Sequence, residues 1–273
     1  MTPFPYRDVF LAVEQRLIEA ASQHMAADAV RAELDHYKHF EGRDLSDDQY
    51  FSILVFVAFY SGFRAATVTS KKKIIEGHFP GWKQVASYTE RDIKKILADT
   101  TMIAHEGKIR GCVANAKRFG ELISQHGSIK NFIASHAPAE SFENLLSFKE
   151  TLEASFDYLG NVTAYHFMTD IGLPVLKPDR VLCRIFERLG LLQNENQFFK
   201  TIQHGRKFAE ATGFPIRYID IVFVAYGQVK SEEIGLIEGI CLTNPRCHAC
   251  GITAHCNYPA RNLVTPITSQ KIA

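Results

Sequence analysis

The segment Asp157–Leu192, DYLGNVTAYHFMTDIGLPVLKPDRVLCRIFERLGLL, decides how the rest of the chain reads. A short turn at Gly160 leads into a helix with an open N-terminus, and that helix ends at Gly172. Pro174 and Pro178 fix the connection, and Asp179 opens the next helix. Unpaired N–H groups at a helix start, beside a glycine that admits another backbone, suit one phosphate of a nucleic-acid strand. Asp179 is a good N-cap. An N-cap carboxylate is also held rigidly, so capping and a chemical role at a cleft edge are compatible.

Outward from this segment, apolar residues recur at helical spacing. "YRDVFLAVEQRLIEAASQH" shows the pattern near the N-terminus. "SDDQYFSILVFVAFYSGFRAATVTSKKKIIEG" opens on Ser46 as N-cap and reads as one long, mostly buried helix. Thr89 with Asp92 makes a capping-box-like start, and a further helix stops at Gly127. Period-two alternation is scarce, so the expected class is all-α. Two helical lobes sharing a cleft are expected, residues 1–45 with 173–273 and residues 46–172. With 46% hydrophobic residues in 273, the chain can bury a sizeable core. No apolar run reaches the length of a membrane span and no signal peptide is evident, which predicts a cytoplasmic protein, nucleoid-associated if bacterial. A net charge of +1 neither demands nor excludes a nucleic-acid partner.

Four of the six cysteines fall in "CLTNPRCHACGITAHC", as C-x5-C-x2-C-x5-C through Cys241, Cys247, Cys250 and Cys256. The two-residue gap turns two thiolates toward one ion or cluster, and Pro245 and Gly251 supply the bends. Tetrahedral zinc and a [4Fe–4S] cluster both take four thiolates, and spacing does not separate them. Cys112 and Cys183 lie in apolar helical patterns and read as buried small hydrophobes.

A glycine turn, a helix, a KPD-R connection, an arginine-bearing helix and a later cysteine loop resemble the helix–hairpin–helix (HhH-GPD) DNA glycosylase superfamily. The resemblance is to its iron–sulfur branch, which includes the endonuclease III and adenine–DNA glycosylase families. Ile103, Lys108, Ile109, Asn115 and Ala116, with Gly160, Tyr165, Phe167 and Met168, are similar to patterns of bacterial 3-methyladenine DNA glycosylases. The resemblance implies a two-lobed helical fold and a [4Fe–4S] cluster on the four cysteines, although the first gap is five residues where the family pattern has six. It further implies a monofunctional N-glycosylase of base excision repair, acting as a monomer on double-stranded DNA containing a modified base.

By the same resemblance Asp179 matches the catalytic aspartate, and Gly160, Asn161, Val162 and Thr163 form the DNA-binding hairpin. Phe63 matches the wedge that fills the gap left by a flipped base, with Arg64 as its alternative; Phe63 also reads as core. Bifunctional relatives carry a nucleophilic lysine in the hairpin helix, where this chain has Val162 or Ala164. Lys177 stands beside Asp179, away from that place. Lys71, Lys72 and Lys73 read as a phosphate-facing or a solvated helix face, and Tyr165 and His166 as base-pocket or core residues. Val57 and Ala65 replace a glutamate and a tryptophan of the 3-methyladenine pocket. The second reading is a non-catalytic DNA-binding protein, or one that processes hypermodified bases.

Overall fold

The computed structural model describes residues 3–258. In chain order its helices are α1 (Tyr6–Ala21), α2 (Ala27–Asp35), α3 (Asp47–Tyr60), α4 (Ala65–Ser70), α5 (Lys72–His78), α6 (Trp82–Ala86) and α7 (Glu90–Ala98). There follow α8 (Glu106–His126), α9 (Ile129–Ser135), α10 (Phe142–Ser155), α11 (Thr163–Asp170), α12 (Arg180–Arg188), α13 (Phe198–Thr212) and α14 (Ile216–Gly227). Among the described residues no strand forms; a single isolated bridge pairs Ser231 with Leu236. The class is all-α. No helix among these residues is long and apolar enough to cross a membrane.

The chain divides into two compact units. One joins the N-terminal segment through Glu41 to the chain from Pro178 onward, and the other is the continuous stretch Gly42–Lys177. The sequence reading set the edges after residues 45 and 172. Residues 42 and 43 fall with α11 because the Gly42 N–H donates to the Gly172 carbonyl at 2.9 Å and Arg43 Nη1 to the Asp170 carbonyl at 3.2 Å.

In the continuous unit α3 is apolar on nearly every side, burying Phe51, Leu54, Val55, Ala58 and Phe59. Its start carries the expected capping box: Ser46 Oγ accepts from Gln49 N, and Gln49 Oε1 accepts from Ser46 N. The expected long helix does not form, and the chain breaks into α3, α4 and α5. Ser61 leaves helical backbone and Gly62 takes φ +79°, a left-handed conformation that glycine adopts without steric cost. The carbonyls freed at the break are taken by a side chain of α8, described below. Helix α7 has its Thr89–Asp92 capping box, and α8 ends at Gly127 with φ +83°. Both were legible locally. Phe119 on α8 packs between Phe51 and Phe156, with both ring pairs at 5.5 Å.

The discontinuous unit is centred on Phe10, Phe186, Phe208 and Phe223, all fully buried, with Phe223 meeting Phe208 at 4.9 Å and Phe186 at 5.3 Å. Each such side chain contributes about 1.5–3 kcal/mol through burial. These four rings tie α1, α12, α13 and α14 into one core. Cys183 and Cys112 are buried as expected, and burial pushes their thiols up to about 11 and about 12.

Candidate functional site

The hairpin segment is built from opposite ends. Helix α11 closes with Gly172 at φ +86°, where Gly172 N donates to Thr169 O at 3.1 Å and Leu173 N to Met168 O at 3.0 Å. This is the double hydrogen bond of a Schellman ending. At its start no side chain caps the helix. Thr163 Oγ1 accepts from the Gly160 N–H at 2.7 Å, while the N–H groups of Asn161, Val162 and Thr163 find no acceptor among the described residues. A Cβ added at Gly160 would meet nothing within 4 Å. Within the turn the left-handed residue is Tyr158, at φ +65°.

Helix α12 begins with Asp179 in extended backbone. Its Oδ1 accepts from Val181 N at 2.9 Å and Leu182 N at 3.0 Å. Both donors converge on one oxygen, which fixes the carboxylate plane and leaves Oδ2 outside this pair of bonds. Asp179 is half-buried and Lys177, two residues before it, is also half-buried.

The other predicted side chains separate into surface and core. Phe63 is half-buried and Arg64 exposed, both in the loop between α3 and α4. Phe63 meets His105 edge to face at 5.9 Å. Lys72 and Lys73 are exposed, and Lys72 lies 3.9 Å from Glu76. Val162 is half-buried and Ala164 fully buried. Tyr165 is 5% exposed and Val57 1%, so both belong to the core. His166 is half-buried with Nε2 3.2 Å from Asp170. Ala65 is exposed.

The four clustered cysteines line one small cavity together with Pro245, Arg188 and Tyr258. Tight turns shape the loop: Arg246 N donates to Ile240 O, and Arg16 Nε from α1 holds the Ala249 carbonyl at 3.2 Å. Arg188 Nη1 donates to Cys241 Sγ at 3.3 Å and to Leu242 O at 2.6 Å. The Tyr226 hydroxyl donates to Cys250 Sγ at 3.1 Å. Burial holds the Cys241 and Cys256 thiols above the ordinary cysteine range, against the pull of Arg188 on Cys241. Among the described residues no three His, Cys, Asp or Glu side chains form a set that could hold a metal ion. Arg188 and Tyr226 were missed in the sequence, since only the fold brings them to the sulfurs.

A family model, methyladenine glycosylase, matches residues 30–155. The solved 8-oxoguanine DNA glycosylase of Thermotoga maritima superposes over 79% of this chain and 96% of its own, with a TM-score of 0.51 and 18% identity. The chain shares the helical fold of that glycosylase. A crystal structure of 3-methyladenine DNA glycosylase I from Staphylococcus aureus is also similar, at 21% identity over 51% of this chain and 84% of that one, with a TM-score of 0.43. Of the superfamily traits read from the sequence, the α3–α4 loop and α8 fall inside the matched residues. Gly160, Asp179 and the cysteine loop lie beyond them.

Proposed function

We propose that this protein is a monofunctional DNA N-glycosylase that draws a modified base out of duplex DNA and hydrolyses its N-glycosidic bond, in base excision repair. The observation that carries the reading is Asp179, a carboxylate locked by two backbone donors at 2.9 and 3.0 Å at a helix start. Breaking the bond builds positive charge on the sugar, and a preorganised carboxylate stabilises that charge without having to reorient. The same group orients or deprotonates the attacking water. The open start of α11, with Asn161, Val162 and Thr163 N–H groups beside Gly160, serves as the grip on one phosphate. Phe63 fills the space the flipped base leaves, with Arg64 beside it. Neither Val162 nor Ala164 carries an amine, so no Schiff base forms in the hairpin helix. Val57 is core and Ala65 is small, so base selection rests on side chains other than those of the 3-methyladenine pocket.

Cys241, Cys247, Cys250 and Cys256 are read as ligands of one [4Fe–4S] cluster, with zinc as the alternative. The donor set suits it: four sulfurs line one cavity, and Arg188 and Tyr226 donate hydrogen bonds to two of them. When bound, the cluster supplies a structural cross-link of the loop, and base removal uses the side chains named above.

The test is single-turnover incubation of excess protein with duplexes carrying alkylated purines, 8-oxoguanine, uracil or hypermodified pyrimidines. One free base should appear, with strand breakage only after alkali. Tight binding of these duplexes without base release would make the protein a binding module instead. A borohydride-trapped protein–DNA adduct at the rate of turnover would overturn the monofunctional reading. The visible spectrum of anaerobically purified protein should show a broad brown absorption, and one zinc with no iron per chain would refute the cluster.

A further inference from the structure

Lys108 is a buried cation, 3% exposed, with no ion-pair partner among the described residues. Its ammonium donates to the carbonyls of Ala58 and, at 2.7 Å, Ser61, the groups freed where α3 breaks before Phe63. The same nitrogen lies 4.5 Å from the centre of the Tyr158 ring and 5.5 Å from that of Phe63. Lys108 thus touches the α3–α4 loop on one side and the turn before the hairpin on the other.

Tyr158 is held at a cost. A non-glycine residue at φ +65° is strained by about 1 kcal/mol or more. Its ring sits over two glycines of α8: a Cβ at Gly107 would come within 2.6 Å of the hydroxyl oxygen, and one at Gly111 within 2.7 Å of a ring carbon. One turn further, buried Asn115 grips the preceding residue twice, donating to Asp157 O at 3.0 Å and accepting from Asp157 N at 2.8 Å. His105 caps α8 through Lys108 N and stands edge-on to both Phe63 and Tyr158, at 5.9 and 6.5 Å. Stability alone would favour an apolar residue at 108 in α8 and glycine or asparagine at 158 in the turn.

We propose that α8 is a rod coupling the Phe63 loop to the Gly160 turn, with Lys108 and Tyr158 as positioning residues, so that wedge insertion and phosphate grip happen together. This rests on the reading of Phe63 as wedge and of Gly160–Thr163 as grip. It gives Lys108 and Asn115, prominent in the sequence pattern, a physical task.

The probe is a duplex with a tetrahydrofuran abasic analogue opposite 2-aminopurine, bound at saturating protein. Phe63→Ala should lower 2-aminopurine emission, reporting lost unstacking. Gly111→Ala leaves Phe63 and Gly160–Thr163 themselves unaltered but displaces the Tyr158 ring; it should lower emission and weaken binding about 5-fold or more. Added to Phe63→Ala, it should cause no further loss of emission. Tyr158→Gly, which relieves the backbone and removes the ring, repeats the test if Gly111→Ala fails to fold. Wild-type emission and affinity in Gly111→Ala and Tyr158→Gly, with loss in Phe63→Ala, would overturn the coupling and leave the wedge intact. Unchanged emission in Phe63→Ala would sink the wedge reading and this inference with it.

Discussion

Helices α11 and α12 follow one another along the chain, yet their first turns are made in opposite ways. Helix α12 has its leading N–H groups consumed by the Asp179 carboxylate. Helix α11 follows Val162 at its N-cap without a side-chain cap, and its Thr163 hydroxyl turns back to Gly160 instead. A capped start carries a fixed negative charge; an open start offers positive partial charge to something from outside. The comparison teaches that a single side chain decides whether a helix N-terminus here presents negative or positive charge.

The largest expected effect comes from removing the charge while keeping the cap. Asp179→Asn retains the capping oxygen, so the melting temperature should hold, while single-turnover base release should fall about 100- to 1000-fold. Release near the wild-type rate would reduce Asp179 to a cap. Next in size is the reverse exchange, giving α11 a charge of the kind α12 has. Val162→Asp should weaken duplex binding about 10-fold and flatten its salt dependence, whereas Val162→Asn should bind nearly as wild type. Equal affinities for all three would remove the phosphate from this helix start. The smallest effect is the baseline for a cap with no chemistry to do: Ser46→Ala should cost about 1 kcal/mol and lower the melting temperature by about 2–4 °C, without altering base release per folded molecule.

What the sequence disclosed was mostly local. Capping boxes at Ser46 and Thr89, and the glycine endings at Gly127 and Gly172, are written within four residues and stand where they were read. The break after α3 escaped notice because the apolar run continues through it, and Gly62 alone is a weak signal. The carbonyls at that break are satisfied by Lys108, fifty residues away in the chain. Asn115 reaches Asp157 across forty-two, and no periodicity reports such pairings. Tyr165 matched a motif, yet its motif position is a core position. The cysteine loop announced itself by count and spacing; the hydrogen bonds from Arg188 and Tyr226 to its sulfurs depend on how α12 and α14 pack.

The division of the chain also bears on how the protein is made. The continuous unit, Gly42–Lys177, has all its partners in hand once its last residue leaves the ribosome. Helix α1 does not. Tyr6 finds His204 and Glu14 finds Tyr218 across about two hundred residues, so Val9, Phe10, Val13 and Leu17 stay unburied through most of synthesis. At about 5–20 residues added per second, that wait lasts roughly ten seconds or longer. The helix that finally anchors the cysteine loop through Arg16 is therefore translated about two hundred residues before its partners and is among the last to be sheltered. During that interval its apolar face is a natural client for a nascent-chain chaperone.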